Sequence, residues 1–222
     1  MTLRVGGITP LTTIDFPGHL AAVVYCQGCP WRCTYCHNPE LLDATAQTGL
    51  AWAQVMRLLE RRVGLLDGVV FSGGEPTLQN AIGEAMDAVR ALGFRIALHT
   101  GGMYPERLRA VLGRLDWVGL DIKALPEDYG RITASGSDAR RTDASLDMLV
   151  ESAVAFECRT TWHAGLFSVD ALLRLARRLH ARGVRHWTLQ ECRSTDAPAW
   201  QLDEPVLAQL REGFERFTLR LA

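Results

Sequence analysis

The feature that most constrains the fold of this chain is a sixfold alternation. A short run of apolar or β-branched residues is followed each time by a stretch of helical spacing. The runs are Leu20–Cys26, Gly68–Phe71, Phe94–Leu98, Trp117–Ile122, Cys158–Trp162 and His186–Gln190. Each has strand length and strand composition. Between them, Trp52, Val55, Met56, Leu59 and Val63 recur at three- and four-residue steps. Leu78, Ile82, Ala85, Met86, Val89 and Leu92 form a second stripe, and Leu108, Val111, Leu112 and Leu115 a third. Leu146, Leu149, Val150 and Ala153 form a weaker one. A fifth, with Leu172, Leu173, Ala176 and Leu179, follows a candidate N-cap at Ser168 and stops at Gly183. The last helix is expected from Pro205 through Val206, Leu210, Phe214 and Phe217.

Strand–helix alternation of this kind implies a parallel α/β sheet with right-handed crossovers. Six units suit an open, partial (βα)6 TIM-like barrel better than a closed eight-unit one. Pattern alone leaves a flat doubly-wound sheet open. The chain is read as one domain over residues 1–222, with 1–19 an N-terminal extension and 20–222 the partial barrel. Ala134–Thr142 is the best candidate for a mobile loop.

In parallel α/β folds, sites form at the carboxyl ends of the strands. The chemically loaded residues of this chain fall there. A cysteine cluster follows the first run, and Ser72-Gly73-Gly74-Glu75-Pro76 the second. His99-Thr100-Gly101-Gly102 follows the third, and Asp121 and Lys123 bracket the end of the fourth. His163 ends the fifth and Gln190 the sixth.

Four of the six cysteines lie within eleven residues: Cys26, Cys29, Cys33 and Cys36. No apolar run approaches the roughly 18–20 residues that span a bilayer, and the N-terminus lacks a signal-peptide core. A cytoplasmic location is therefore expected, where thiols stay reduced and such a cluster signifies metal or redox chemistry. The net charge of -1 gives no reason to expect nucleic acid as a partner. Three readings of the cysteines stand. Cys29, Cys33 and Cys36 can hold a cubane with one iron left open to substrate, by the logic of an open catalytic metal position. All four can ligate an electron-transfer cluster, or a structural zinc. Cys26 ends a strand and can equally be a small buried hydrophobe.

The longer strings carry a resemblance. Cys29-x₃-Cys33-x₂-Cys36 looks like the signature of radical S-adenosylmethionine enzymes. Thr13–Gly18 (TIDFPG), Gln27–Glu40 with its CHNPE ending, Ser72–Thr77 (SGGEPT), Asp121–Ala124 and Arg159–Thr161 together resemble the activating proteins of glycyl radical enzymes. Within these the likeness is greatest to the anaerobic ribonucleoside-triphosphate reductase activating protein, with pyruvate formate-lyase activating enzymes as relatives. It runs from about Gly7 to about Arg193.

The resemblance implies a six-unit partial barrel. It also implies a [4Fe–4S] cluster on Cys29, Cys33 and Cys36, with S-adenosylmethionine on the fourth iron. Tyr35 and His37, beside ligand Cys36, would lie near the adenine. Gly73, Gly74 and Glu75 would receive the methionyl amino group. Asp121 and Lys123 would contact ribose and carboxylate, with a buried salt bridge as the plainer alternative. Thr100 and His163 complete the cofactor set. The implied reaction is reductive cleavage to a 5′-deoxyadenosyl radical, which takes a hydrogen from a glycine of a partner enzyme. The implied partners are a glycyl radical enzyme and a flavodoxin- or ferredoxin-type electron donor. Alternatives are a radical enzyme acting on a small molecule, or a non-catalytic iron–sulfur or zinc protein. One departure stands out. Where relatives carry Asp-Thr-Asn-Gly, this chain has His99-Thr100-Gly101-Gly102. That puts a monovalent cation site in doubt and lets His99 stand in for the positive charge when protonated.

Overall fold

The computed structural model describes residues 2–192 and 202–221. Arg193, the expected end of the family-like stretch, lies outside them. The strands form one eight-stranded sheet in the order of the chain, β1 to β8. They are β1 Val5–Thr12, β2 Ala21–Cys26, β3 Gly68–Gly73, β4 Arg95–Thr100, β5 Trp117–Asp121, β6 Ala155–Trp162, β7 His186–Glu191 and β8 Arg216–Arg220. From β2 to β8 every neighbouring pair is parallel, and β1 runs antiparallel to β2. Among the described residues no pairing joins β8 to β1, so the barrel stays open on one side.

The six expected strands are β2 to β7. The two additional ones are the edges, and both carry weak signals. β1 contains Gly6, Gly7 and Pro10, and only its two terminal residues are buried. Such composition is confined to sheet edges. β8 absorbs Phe217, which the helical spacing assigns to the last helix. That helix, α7 (Glu204–Arg211), ends sooner, and the chain turns at Gly213. Phe214 and Phe217 instead pack on Trp187 of β7, each with ring centroids 5.3 Å from it.

The remaining helices are α1 Trp52–Glu60, α2 Ile82–Ala91, α3 Pro105–Val111, α4 Tyr129–Thr133, α5 Arg140–Glu151 and α6 Val169–Ala181. Ser168 caps α6 as expected, its Oγ accepting from the Ala171 amide at 3.2 Å. The expected loop Ala134–Thr142 splits. Residues Arg140–Thr142 form the first turn of α5, where Thr142 is buried and donates to the Gly101 carbonyl at 2.8 Å.

Strand parity divides the interior in two. Val24, Phe71, Leu98, Leu120 and Leu189 face the helices in the main core. Val23, Val70, Ala97 and Trp117 face inward and close the lower end of the barrel around Phe16. Two residues further along β3 and β4 the inward positions are polar, Ser72 and His99. On β5 that position is Gly119, which leaves room for Arg159 of β6, and Gln190 of β7 joins them. The apolar plug below thus leaves a charged chamber above it, at the carboxyl ends.

Candidate active site

The loop after β2 is clamped from two sides. The amides of Gly28 and Cys29 donate to the Leu41 and Leu42 carbonyls at 2.8 and 3.1 Å. The amides of Arg32 and Thr34 donate to Thr133 and Ile132 at 2.9 and 3.3 Å. Trp31 and Tyr35 are buried against Met103, Tyr129 and Ile132, and the Trp31 indole donates to Ser137 Oγ at 3.2 Å. The loop's shape is therefore held by protein contacts.

Cys29, Cys33 and Cys36 line one cavity of about 190 Å³. Cys26 does not. It is the last residue of β2, fully buried with Val24 and Phe71 on the helix side of the sheet. Burial pushes the Cys26 thiol far up, and pushes that of Cys29 up to about 12 and that of Cys33 upward as well. Metal ligation requires thiolates, so binding at Cys29 and Cys33 must supply what burial withholds. Among the described residues, no three His, Cys, Asp or Glu side chains converge on a point that would hold a single ion. A cubane keeps its ligands further apart than one ion does.

The turn after β3 faces the cysteines. Gly73, Gly74 and Glu75 line the same cavity. A Cβ on Gly74 would fall 2.3 Å from the Gly28 carbonyl oxygen, so only glycine allows this backbone to approach the cysteine loop. Glu75 is buried and its carboxylate is occupied from within. It accepts from the Thr77 amide at 3.0 Å, from the Thr77 hydroxyl, from Thr100 Oγ1 at 2.8 Å and from the Gly101 amide at 2.9 Å. Burial raises its pKa, against the pull of these donors. Glu75 thus ties the turn after β3 to the end of β4. Its neighbours Gly73 and Gly74 present the backbone to the cavity.

Three charged side chains complete the wall. Asp121 Oδ2 accepts from Lys123 Nζ at 2.9 Å, and Oδ1 from Arg159 Nε at 3.0 Å. Burial alone would raise the Asp121 pKa, but Arg159 and Lys123 outweigh it and hold the carboxyl far below its usual range. Burial likewise opposes the Lys123 charge, and Asp121 overcomes it and raises the pKa. The three formal charges sum to one positive. Gly119 makes this possible, because a Cβ there would lie 2.9 Å from Arg159 Cζ.

Tyr35 and His37 also line the cavity. Thr100 and His163 do not. Thr100 is spent on Glu75, and His163 Nδ1 accepts from the Gly165 amide at 3.2 Å. Arg159, Trp31 and Met103 are wall residues that the sequence reading did not assign. Arg159 left a signal, a charged residue inside an otherwise buried strand run. Trp31 left only its place between two cysteines.

His99 corrects an expectation. It is buried, and burial first, then the nearby Arg159, lowers its pKa well below that of a free histidine. It is neutral and cannot replace a cation. Nε2 donates to the Asp15 carbonyl at 2.9 Å, leaving Nδ1 to accept from the Ser72 hydroxyl at 3.3 Å.

A second cavity, of about 580 Å³, opens on the unclosed side of the barrel between residues 13–18 and β8. It shares the wall residues His37, Asn38, Ser72 and Gln190 with the cysteine cavity, so the two are neighbours.

The donor set suits a [4Fe–4S] cluster with S-adenosylmethionine: three thiols facing one cavity, a backbone cradle a Cβ would fill, and an excess positive charge for a carboxylate. No helix among the described residues is long and apolar enough to cross a membrane.

Comparison with known proteins agrees. A protein of Methanocaldococcus jannaschii named for glycyl-radical enzyme activation is 30% identical over 169 residues, which is 73% of this chain and 69% of that one. The pyruvate formate-lyase-activating enzyme of Clostridium pasteurianum is 33% identical over 139 residues, 60% of this chain and 58% of that enzyme. Streptococcus suis SuiB bound to S-adenosylmethionine shares the fold, with a TM-score of 0.64 at 15% identity over 90% of this chain and 49% of that one. So does anSMEcpe with bound AdoMet, with a TM-score of 0.62 at 15% identity over 83% of this chain and 56% of that one. The chain thus spans about half the length of these solved structures. The family model of the Radical SAM superfamily matches residues 23–160, from β2 into β6. That span takes in the cysteine loop, the glycine turn and Asp121–Arg159 alike, and the chain belongs to this superfamily, whose members use a [4Fe–4S] cluster and S-adenosylmethionine.

Proposed function

We propose that this protein activates a glycyl radical enzyme, and that its partner is an anaerobic ribonucleoside-triphosphate reductase. The observation that carries the reading is the shared wall of one cavity. Cys29, Cys33 and Cys36 stand there opposite Gly73–Gly74 and beside the Lys123–Asp121–Arg159 group. When bound, the cluster supplies one electron to the sulfonium, giving methionine and a 5′-deoxyadenosyl radical. The protein supplies position and exclusion of water. Cys29, Cys33 and Cys36 would hold three irons of the cluster. The backbone at Gly73 and Gly74 would receive the methionyl amine. Lys123 and Arg159 would offset the carboxylate charge, and Asp121, bonded to both, would contact the ribose. Tyr35 and His37 would flank the adenine, and Cys26 stays in the core.

The choice of a protein substrate is supported by the names of the two relatives above and by the side cavity at the barrel opening, which shares wall residues with the cysteine cavity. We assign the chain as one domain acting in the cytoplasm. The test is anoxic reconstitution followed by dithionite and S-adenosylmethionine. The expected result is 5′-deoxyadenosine, and with the reductase present a glycyl radical signal in electron paramagnetic resonance. Absence of 5′-deoxyadenosine from the iron-loaded protein would overturn the reading. Product without a glycyl signal would overturn the choice of partner.

A further inference from the structure

A third cavity, of about 630 Å³, lies outside the chamber on the other side of the cysteine loop. Trp31 and Met103 line both this basin and the cysteine cavity and are the wall residues common to the two. Both side chains are buried, at 3% and 5% exposure. Trp31 stands between ligand positions Cys29 and Cys33 in the chain. Pro30 and Trp31, which follow Cys29 in the cysteine loop, thus form part of the basin wall.

Its rim is basic. Arg140 and Arg141 line it and are exposed, against one lining acid, Asp138, which is paired to Arg140 Nε at 2.6 Å. Arg107 lies over the ring of Tyr104, another lining residue, at 4.8 Å. Arg32 is exposed beside Trp31, and its guanidinium donates to the Cys29 and Trp31 carbonyls at 2.6 and 2.9 Å. The side cavity has the opposite balance. Asp15, Glu157 and Glu191 line it against Arg216 and Arg220. A chain of almost no net charge therefore carries a positive face over its cysteine loop and a slightly acidic one at its barrel opening.

We propose that the arginine-rimmed basin over Trp31 and Met103 is the docking face for an acidic one-electron donor protein, separate from the side opening that admits the substrate segment. This rests on the reductive cleavage proposed above, which requires an electron delivered to the cluster. Complementary charge steers such encounters and speeds association. Docked there, a flavodoxin hydroquinone anion passes one electron inward and becomes the neutral semiquinone. The oxidised cluster is reduced by that one electron, and no proton need move. Separate faces let donor and substrate protein bind together without competing.

The test uses the iron-loaded protein and a purified flavodoxin. Calorimetric titration with oxidised flavodoxin at rising salt reads docking without turnover. Arg140→Glu with Arg141→Glu should weaken binding by about tenfold or more and flatten its salt dependence. Arg216→Glu at the side opening should leave it unchanged. In stopped flow, reduction of the cluster by photoreduced flavodoxin should slow by about tenfold in the double variant, while reduction by dithionite keeps its rate. If the charge reversal costs the cluster, Arg140→Gln with Arg141→Gln serves instead, with a smaller loss expected. Unchanged flavodoxin binding in the reversed variant would overturn the proposal. So would loss of glycyl radical formation with dithionite as reductant, which would make the basin the substrate face. Failure of the wild type to cleave S-adenosylmethionine with dithionite would instead sink the parent reading, and the calorimetry would still report on docking.

Discussion

The imidazole of His99 donates a hydrogen bond from Nε2 to the carbonyl oxygen of Asp15, 2.9 Å away, and so ties β4 to the N-terminal segment inside the barrel. That segment closes the lower end of the barrel with Phe16 and walls the side opening. A pH dependence follows from this bond. The folded-state pKa of His99 lies well below the free value, chiefly through burial. The unfolded chain therefore binds a proton near pH 6.5 that the folded chain refuses. Stability from this group is complete above that pH and falls as pH drops below it, by at most about 1.4 kcal/mol per pH unit. Thermal unfolding of the anoxic protein between pH 8 and pH 5.5, both chosen to bracket roughly the free histidine value, should show the loss. His99→Gln, which keeps a donor and does not titrate, should flatten the curve in that window.

Cys26 and the other three loop cysteines should separate cleanly. Cys29→Ala, Cys33→Ala and Cys36→Ala each remove a thiol from the chamber and should abolish a cluster of about four irons per chain. Cys26→Ala removes a buried atom from the helix-side core. It should keep the iron and lose about 1–2 kcal/mol of stability. Iron analysis and the visible spectrum after anoxic reconstitution check both. A Cys26→Ala protein without iron would mean that four thiolates hold the cluster.

The Asp121 carboxylate is the only counter-charge bonded to both Lys123 and Arg159 among the described contacts. Asp121→Asn should leave two enclosed cations facing each other and cost about 3 kcal/mol or more. Arg159→Met should cost less, because Lys123 still pairs with Asp121. Its larger effect should be on S-adenosylmethionine affinity, read by equilibrium dialysis. Equal affinity in wild type and Arg159→Met would remove Arg159 from the binding site.

Gly74→Ala should be far more damaging than its size suggests. The new Cβ would meet the Gly28 carbonyl oxygen at 2.3 Å, a backbone atom that cannot swing aside. We expect a loss of about 1–3 kcal/mol, the usual cost of overpacking, and displacement of the cysteine loop. Weakened cluster retention on gel filtration, with the far-ultraviolet spectrum preserved, is the expected signature.

Much of the site was legible because strand ends converge in any parallel α/β fold. The strings around Cys29–Cys36, Gly73–Glu75 and Asp121–Lys123 each lie at such an end, so their order along the chain already implied their meeting. Glu75 was legible as a site residue but not in its engagement. Four donors reach its carboxylate from Thr77, Thr100 and Gly101, and two of those residues lie a full crossover away. Thr100 and His163 have the right strand-end address and still fall outside the cavity wall, since an address does not say where a side chain turns.

Periodicity by itself determined the six central strands, their parallel order and the face on which chemistry gathers. It did so because parallel strands buried on both faces must be apolar runs, and crossover helices must carry stripes. Local spacing likewise confined the metal ligands to one short loop. Only the tertiary structure decided the rest. It put β1 and β8 at the edges, where Gly, Pro and half-exposed residues dilute the pattern. It turned Cys26 to the helix side and Arg159 to the chamber, one strand position settling each through parity. It neutralised His99 by burying it beside Arg159. These outcomes depend on which side chains share a low-dielectric space, and that is set by packing between segments far apart in the chain.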